Sequence, residues 1–259
     1  MSMRIGGAGG ITYSVATLVN NHSQYDAMLA TFRQRGFDAS TCEFLHIDNT
    51  GPEQTDAYVG LNLLLSRAQG KYVILCHQDV RLVDDGRQEL DAALDDLEQR
   101  DENWALAGNA GGAAPGRLVL RISDPHGEDT RVGNLPERVC TLDENFIIVK
   151  RAARLGFSRD LSGFHFYGAD LCLVADILGY SAYVIDFHLR HLSSGTKSAE
   201  FYAAEAAFRS KWSHALRSRW MQTTCALVPV SGGRLGRLIG GATAAPIAKF
   251  TRRLPAGWR

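Results

Sequence analysis

The sequence predicts an α/β fold with a single, mostly parallel central sheet, and three observations carry that expectation. Short apolar runs that stop abruptly at polar residues recur through the first third of the chain, as strands buried on both faces do. Between them lie stretches whose apolar residues are spaced three and four apart, closed by glycine, the signature of amphipathic helices. The resulting order is strand, helix, strand, helix, strand, the alternation of a parallel sheet covered by helices.

Residues 1–10, MSMRIGGAGG, read as a flexible leader without the apolar segment of a signal peptide. Tyr13 to Val19 is the first strand and ends at Asn20, Asn21 and His22. Gly6 to Gly10 precede that strand rather than follow it, so a dinucleotide-binding fingerprint fails on context. Tyr25 to Arg35 reads as a helix stopped by Gly36, and Cys42 to Ile47 as a strand ending at Asp48, Asn49 and Thr50. Thr55 to Ala68 is helical, with Tyr58, Leu61, Leu65 and Ala68 on one face. The strand Tyr72 to Cys76 then stops at His77, Gln78 and Asp79, and the rest of the chain is organised around it. It sets a carboxylate and an imidazole at a sheet edge, where open α/β sheets bind ligands. The Asp79 carboxyl is a hard oxygen donor suited to Mg²⁺ or Mn²⁺, and it reads equally as a solvated turn residue.

The second half is more mixed. Asp84 to Arg100 reads as an acidic amphipathic helix whose carboxylates form a solvated face. Trp104 to Ala107 and Leu118 to Ile122 are strands, separated by a Gly/Ala-rich loop from Gly108 to Gly116. Ser123 to Asn134 reads as a mobile surface loop, and Arg138 to Lys150 as two β-like pieces around Asp143, Glu144 and Asn145. Asp170 opens a helix that ends at Gly179, the strand Tyr183 to Phe187 leads into His188, Arg190 and His191, and Ala199 to Trp220 is a long helix. The expected organisation is one domain over residues 11–197 and a basic helical extension over 198–259.

The net charge of zero conceals an asymmetry: ten Lys and Arg and no Asp or Glu follow Glu205, so an acidic body carries a basic tail. Such a tail suits an anionic surface. A membrane face is expected rather than nucleic acid, because no aromatic platform or recognition motif accompanies the charge. The five cysteines form no CxxC pair, which argues against a disulfide framework and a structural zinc site and fits a cytoplasmic chain. No apolar run reaches the roughly 18 to 20 residues of a spanning helix.

The strand ending in Asp48-Asn49, the strand ending in His77-Gln78-Asp79, and the later GADLCL with its downstream HLSSG recur in an order that resembles the family 2 glycosyltransferases of the GT-A fold, especially the bacterial rhamnosyl and polysaccharide-assembly branch. The resemblance runs from Tyr13 to Thr196. It implies an inverting transfer of a sugar from a nucleotide diphosphate sugar to a glycan or lipid-linked acceptor, at the inner face of the plasma membrane. It also implies a divalent cation, Mn²⁺ or Mg²⁺. On this resemblance Asn20, Asn21, Asp48, Asn49, His77 and Asp79 bind the nucleotide sugar, Asp79 and His191 hold the metal, and Asp170 is the base.

Two departures stand out. The metal-binding DxD tripeptide is His-Gln-Asp here, which leaves one carboxylate; imidazole suits Mn²⁺ better than Mg²⁺. The acidic pair before DLCL falls on Tyr167 and Gly168, which leaves Asp170 as the nearest base and His165 in reserve. Asp170 reads equally as a first-turn helix acid. Glycosyl transfer needs charge stabilisation for the departing diphosphate and a proton acceptor for the attacking hydroxyl, and Arg190 and Lys197 are further candidate donors to the phosphates. The departures also admit a degenerate, non-catalytic nucleotide-sugar-binding domain. A nucleotidyltransferase is disfavoured, because Asn20-Asn21-His22 offers no basic glycine-rich loop.

Overall fold

The structure, a computed structural model, describes residues 10–193, 195, 197–222, 224, 227–235, 238 and 246. Residues 1–9 of the leader, Ser194, Thr196, Cys225 and the apolar stretch at residues 244–250, except Pro246, lie outside the described residues. In chain order the first half runs β1 (Tyr13–Val19), α1 (His22–Gln34), β2 (Cys42–Asp48), α2 (Ala57–Arg67), β3 (Tyr72–Cys76), β4 (Val80–Leu82), α3 (Arg87–Arg100) and β5 (Trp104–Gly108). The second half runs β6 (Ala110–Ala114), β7 (Arg117–Asp124), β8 (Gly127–Val132), β9 (Glu137–Val139), β10 (Thr141–Leu142) and β11 (Phe146–Lys150). It continues with α4 (Tyr167–Ile177), β12 (Ser181–Val184), β13 (Leu189–His191), α5 (Ala199–Ala215), β14 (Arg219–Gln222) and β15 (Leu227–Val230).

A seven-stranded sheet in the order β2-β1-β3-β11-β5-β12-β9 forms the centre. β1 runs parallel to both β2 and β3, so their carboxyl ends share one edge. β11 enters antiparallel between β3 and β5, which makes the sheet parallel on one side and mixed on the other. All five residues of β3 are buried, and Val73 and Ile74 are fully so. This is the two-sided burial that its unbroken apolar run dictates, at about 1.5 to 3 kcal/mol for each large apolar side chain. Helix α1 lays Met28 and Phe32 on the sheet and α3 lays Leu90, Leu94 and Leu97. The α3 carboxylates do not all form the solvated face expected, because Asp91 accepts from the Tyr13 hydroxyl and Glu98 from the Tyr72 hydroxyl and the Lys150 ammonium.

Three further expectations give way. α1 begins at His22 because the Asn21 side chain caps it, accepting from the Gln24 N–H at 3.1 Å. The Gly/Ala segment is a strand, β6, whose glycine permits close approach: a Cβ on Gly111 would overlap the Thr141 carbonyl oxygen of the paired β10. The supposed mobile loop contains β8, which pairs with β7 and is tied down by ion pairs from Arg121 to Asp129 and from Arg190 to Glu128.

A smaller sheet in the order β10-β6-β7-β13-β4, with β8 beside β7, lies alongside. Within it the antiparallel pair β4 and β13 sets Val80 opposite His191 and Leu82 opposite Leu189. The chain divides into two compact units after Glu205. The extension expected to be helical begins so with α5 and continues as a β14–β15 hairpin. Among the described residues no helix is long and apolar enough to cross a membrane.

Candidate functional site

The shared carboxyl edge of β1, β2 and β3 opens on a cavity of about 320 Å³. The residues that follow each strand line it: Asn20 after β1, Asn49 after β2, and His77, Gln78 and Asp79 after β3. Phe164 and Tyr167 close it from the α4 side. Among the described residues no Lys or Arg lines it; its polar groups are amides, a hydroxyl, a phenol, an imidazole and one carboxylate.

At one end of the cavity His77, Asp79 and His191 converge, their ligand atoms all within 4.8 Å of one another. His191 Nε2 lies 3.3 Å from Asp79 Oδ1 and 3.4 Å from His77 Nδ1. Chain geometry produces this meeting, because Asp79 immediately precedes β4 and His191 ends β13 opposite Val80. The Leu192 N–H donates to the Asp79 carbonyl at 3.2 Å and fixes the two ends together. The outer nitrogen of His77 is held by the Tyr167 phenol at 2.7 Å, which orients the ring so that Nδ1 faces the cluster.

Electrostatics follow from that packing. Burial pushes His77 below the ordinary imidazole value, and His191 adds to the effect. Burial would lower His191 as well, but its hydrogen bond and charge interaction with Asp79 outweigh it, and His191 is held above the ordinary value. Burial opposes ionisation of Asp79, but His191, Ser193 and His77 together hold its carboxyl well below the usual carboxylate range. The arrangement is an ionised carboxylate and two imidazoles, His191 touching both of the others, at one end of the cavity. Two nitrogen donors and one hard oxygen donor at this spacing fit a divalent cation of the Mn²⁺ type.

Some sequence-selected residues do not join this cluster. Asp48 points away from the cavity; its Oδ1 accepts from the Thr50 N–H at 2.9 Å and its Oδ2 lies 3.3 Å from His22 Nε2. Alternation along an extended strand turns consecutive residues to opposite sides, and Asn49 takes the inward position. There it bonds the Thr55 backbone at both ends of its amide, at 2.8 and 3.0 Å. Asn21 spends its side chain on the α1 cap. Asp170 is fully buried in the first turn of α4; its oxygens accept from the Ser158 N–H at 2.8 Å and Oγ–H at 2.7 Å. The base expected there is thus turned into the protein, away from the cavity. Arg190 is engaged by Glu128 at 2.5 and 2.7 Å, and the His165 ring packs edge-on to Phe201.

Two further contributors carry little signal in the sequence. Gln78 stood in the tripeptide that drew attention to Asp79, and its Oε1 accepts from the Asn20 and Asn21 N–H groups at 3.0 and 2.9 Å. Tyr167 joins His77 to α4, and the aromatic run Phe164 to Tyr167 ahead of that helix was its available signal.

No family model matches the chain. A relative from Fuscovulum blasticum, described as "ATP synthase subunits region ORF 6", is 38% identical over 231 residues, which take in 86% of this chain and 92% of the relative. Among solved structures, S. aureus TarS 1-349 in complex with UDP-GlcNAc is similar with a TM-score of 0.53 and 13% identity, over 75% of this chain and 64% of that one. GalNAc-T7 with UDP, GalNAc and Mn²⁺ is similar with a TM-score of 0.50 and 8% identity, over 72% of this chain and 45% of that one. The chain therefore spans less than two thirds of either solved chain. At these identities the likeness concerns the fold, and the fold is the α/β architecture of GT-A-type glycosyltransferases.

Proposed function

The chain belongs to the family of the Fuscovulum blasticum ATP synthase subunits region ORF 6 protein, and we propose that it is a nucleotide-sugar-dependent glycosyltransferase. The relative's name states no chemistry, so the site and the fold carry the proposal. The solved chains of the same fold were captured with UDP-GlcNAc and with UDP, GalNAc and Mn²⁺. One observation carries most of the weight. The cavity at the sheet edge has the polar lining a nucleoside needs but, among the described residues, no basic side chain, and a candidate cation site lies at its end. A diphosphate bound there would have its charge met by a metal rather than by Lys or Arg.

His77, Asp79 and His191 would hold that cation, which when bound supplies charge stabilisation to the departing diphosphate. Asn20 would offer its amide nitrogen to the nucleoside, Asn49, whose amide is spent on the Thr55 backbone, shapes the wall beside it, and Tyr167 positions the His77 ring. We extend the proposal to an inverting transfer of a hexosyl or rhamnosyl unit onto a glycan or lipid-linked acceptor in polysaccharide assembly. The basic extension after Glu205 would hold the enzyme at an anionic membrane face. The domain and its extension are taken as residues 11–197 and 198–259.

A thermal-shift panel of UDP, dTDP and GDP sugars, with and without Mn²⁺, tests the proposal. One nucleotide class is expected to raise the melting temperature, and more strongly with the cation. A flat response across the panel would remove its basis. A second reading, a binding domain that has lost catalysis, draws on Gly168 and on the single carboxylate of the cluster. Metal-dependent hydrolysis of the bound donor would exclude it.

A further inference from the structure

With Asp170 turned inward, the cluster has no neighbouring proton acceptor on α4, and the position two residues before it is Gly168. Gly168 has no room for a side chain. A Cβ there would overlap the Leu142 carbonyl oxygen and lie 3.2 Å from the Glu144 Cγ. The space is already taken by Glu144, which arrives from the turn between β10 and β11. Its carboxylate accepts from the Gly168 N–H at 3.4 Å, and the Tyr167 and Phe166 N–H groups also face it. A carboxylate has thus been supplied to the first turn of α4 from another part of the chain.

Two further observations give that carboxylate a direction. Glu144 lines a second cavity, of about 370 Å³, whose other walls include Leu118, Leu120, Phe166 and Phe201. Its main chain is also joined to the donor side. The Tyr167 phenol, which borders the first cavity and bonds His77, lies 3.1 Å from the Glu144 carbonyl, and the His77 N–H donates to the Asn145 carbonyl at 2.9 Å. Glu144 therefore turns its side chain to the second cavity, while the main chain of Glu144 and Asn145 bonds Tyr167 and His77 on the side of the first.

We propose that Glu144 is the general base of the transfer, taking the proton of an acceptor hydroxyl that approaches through the second cavity. This rests on the glycosyltransferase function proposed above. The hydroxyl oxygen forms its bond to the anomeric carbon with its own electron pair. The bond from that carbon to the diphosphate oxygen breaks, its pair leaves with the nucleoside diphosphate, and the hydroxyl proton passes to a Glu144 oxygen. Burial, with Asp143 adding to it, raises Glu144 to about 8 against the pull of the three backbone N–H groups. Tyr167 and Tyr58 are the other titratable groups that interact with it. A carboxylate at that value holds its proton weakly enough to act and strongly enough to accept.

The test uses the full chain, water as the acceptor, and as donor whichever nucleotide sugar raises the wild-type melting temperature most with Mn²⁺. Release of the nucleoside diphosphate is followed from about pH 6 to about pH 10. Wild type should speed up through about pH 8. Glu144→Gln should keep the donor-induced thermal shift, lose about 100-fold or more in rate, and lose the alkaline rise. Glu144→Asp should recover part of the rate. A Gln variant with the wild-type rate and pH profile overturns the assignment of Glu144 and leaves the glycosyltransferase function standing. If no nucleotide sugar shifts wild type, both fall, and the failure shows at the binding step before any rate is measured.

Discussion

One short ladder, β4 against β13, carries a histidine cluster at each end. At one end Asp79, His191 and His77 meet where a cavity opens. At the other, His188 Nδ1 lies 3.0 Å from Asp84 Oδ2 and His188 Nε2 lies 2.9 Å from Ser123 Oγ. By residue type and distance the second cluster is an acid, an imidazole and a hydroxyl in the order of a nucleophilic triad. Its hydroxyl is not presented to a ligand: Ser123 is 1% exposed, and its Oγ also accepts the Asp129 N–H at 2.8 Å, so it anchors β8. The two ends share composition and scaffold and differ in access. A cluster with a hollow beside it can take a ligand, and one packed shut can only hold strands together.

That contrast can be broken or sharpened by substitution. The largest effect is expected for Asp79→Ala, which removes the carboxylate from the open cluster. Mn²⁺ affinity should fall at least about 100-fold with the fold preserved, read by metal titration beside circular dichroism. An undiminished Mn²⁺ response would erase the distinction between the two ends. Next comes Ser123→Ala at the closed end. It strands His188 Nε2 and the Asp129 N–H, and denaturant unfolding should show a loss of about 1 to 3 kcal/mol. The donor-induced thermal shift should persist; if it vanished while stability held, the closed cluster would be a site after all.

Between these lies Glu144. Its raised value means that the folded chain keeps a proton there, from its ordinary 4.5 up to about 8, that the unfolded chain releases. Stability from this group is complete below the lower value and is lost as pH rises through the upper one. Glu144→Gln cannot ionise, so its melting temperature should gain on wild type progressively from about pH 5 to about pH 8. A constant offset would show that the carboxyl is not lifted. The smallest change is expected from Asn21→Ala, which removes the α1 cap and should cost about 1 kcal/mol in urea unfolding.

The sequence disclosed most where one physical signal dominated. β1 and β3 were legible to the residue, β3 because an unbroken apolar run permits little else and β1 because its apolar, β-prone residues stop abruptly at Asn20. β8 was not, because the segment GEDTRV has no apolar face; neighbouring arginines and the β7 ladder hold it. The antiparallel entry of β11 was beyond reach, since an apolar run does not state its direction. In the site, His77 and Asp79 were visible at the end of a buried strand, and His191 was selected by resemblance. Their convergence depends on the β4–β13 register, which no local pattern encodes. Asp170 was chosen for its place in a motif, and its inward turn toward Ser158 is a packing outcome. The triplet of Asp143, Glu144 and Asn145 was noticed as an interruption between β-like pieces, but only the folded chain brings it beside Gly168.

The Gln78 amide has a consequence for ligand binding. Its oxygen occupies two main-chain N–H groups at the tip of β1, and its nitrogen donates to the Asn20 side-chain oxygen. These N–H groups are therefore already satisfied from within the chain, at the spot where an incoming anion would otherwise find donors waiting. Any guest that sought those two hydrogens would have to evict a resident, so tighter occupancy and a sturdier strand tip are set against each other at residue 78.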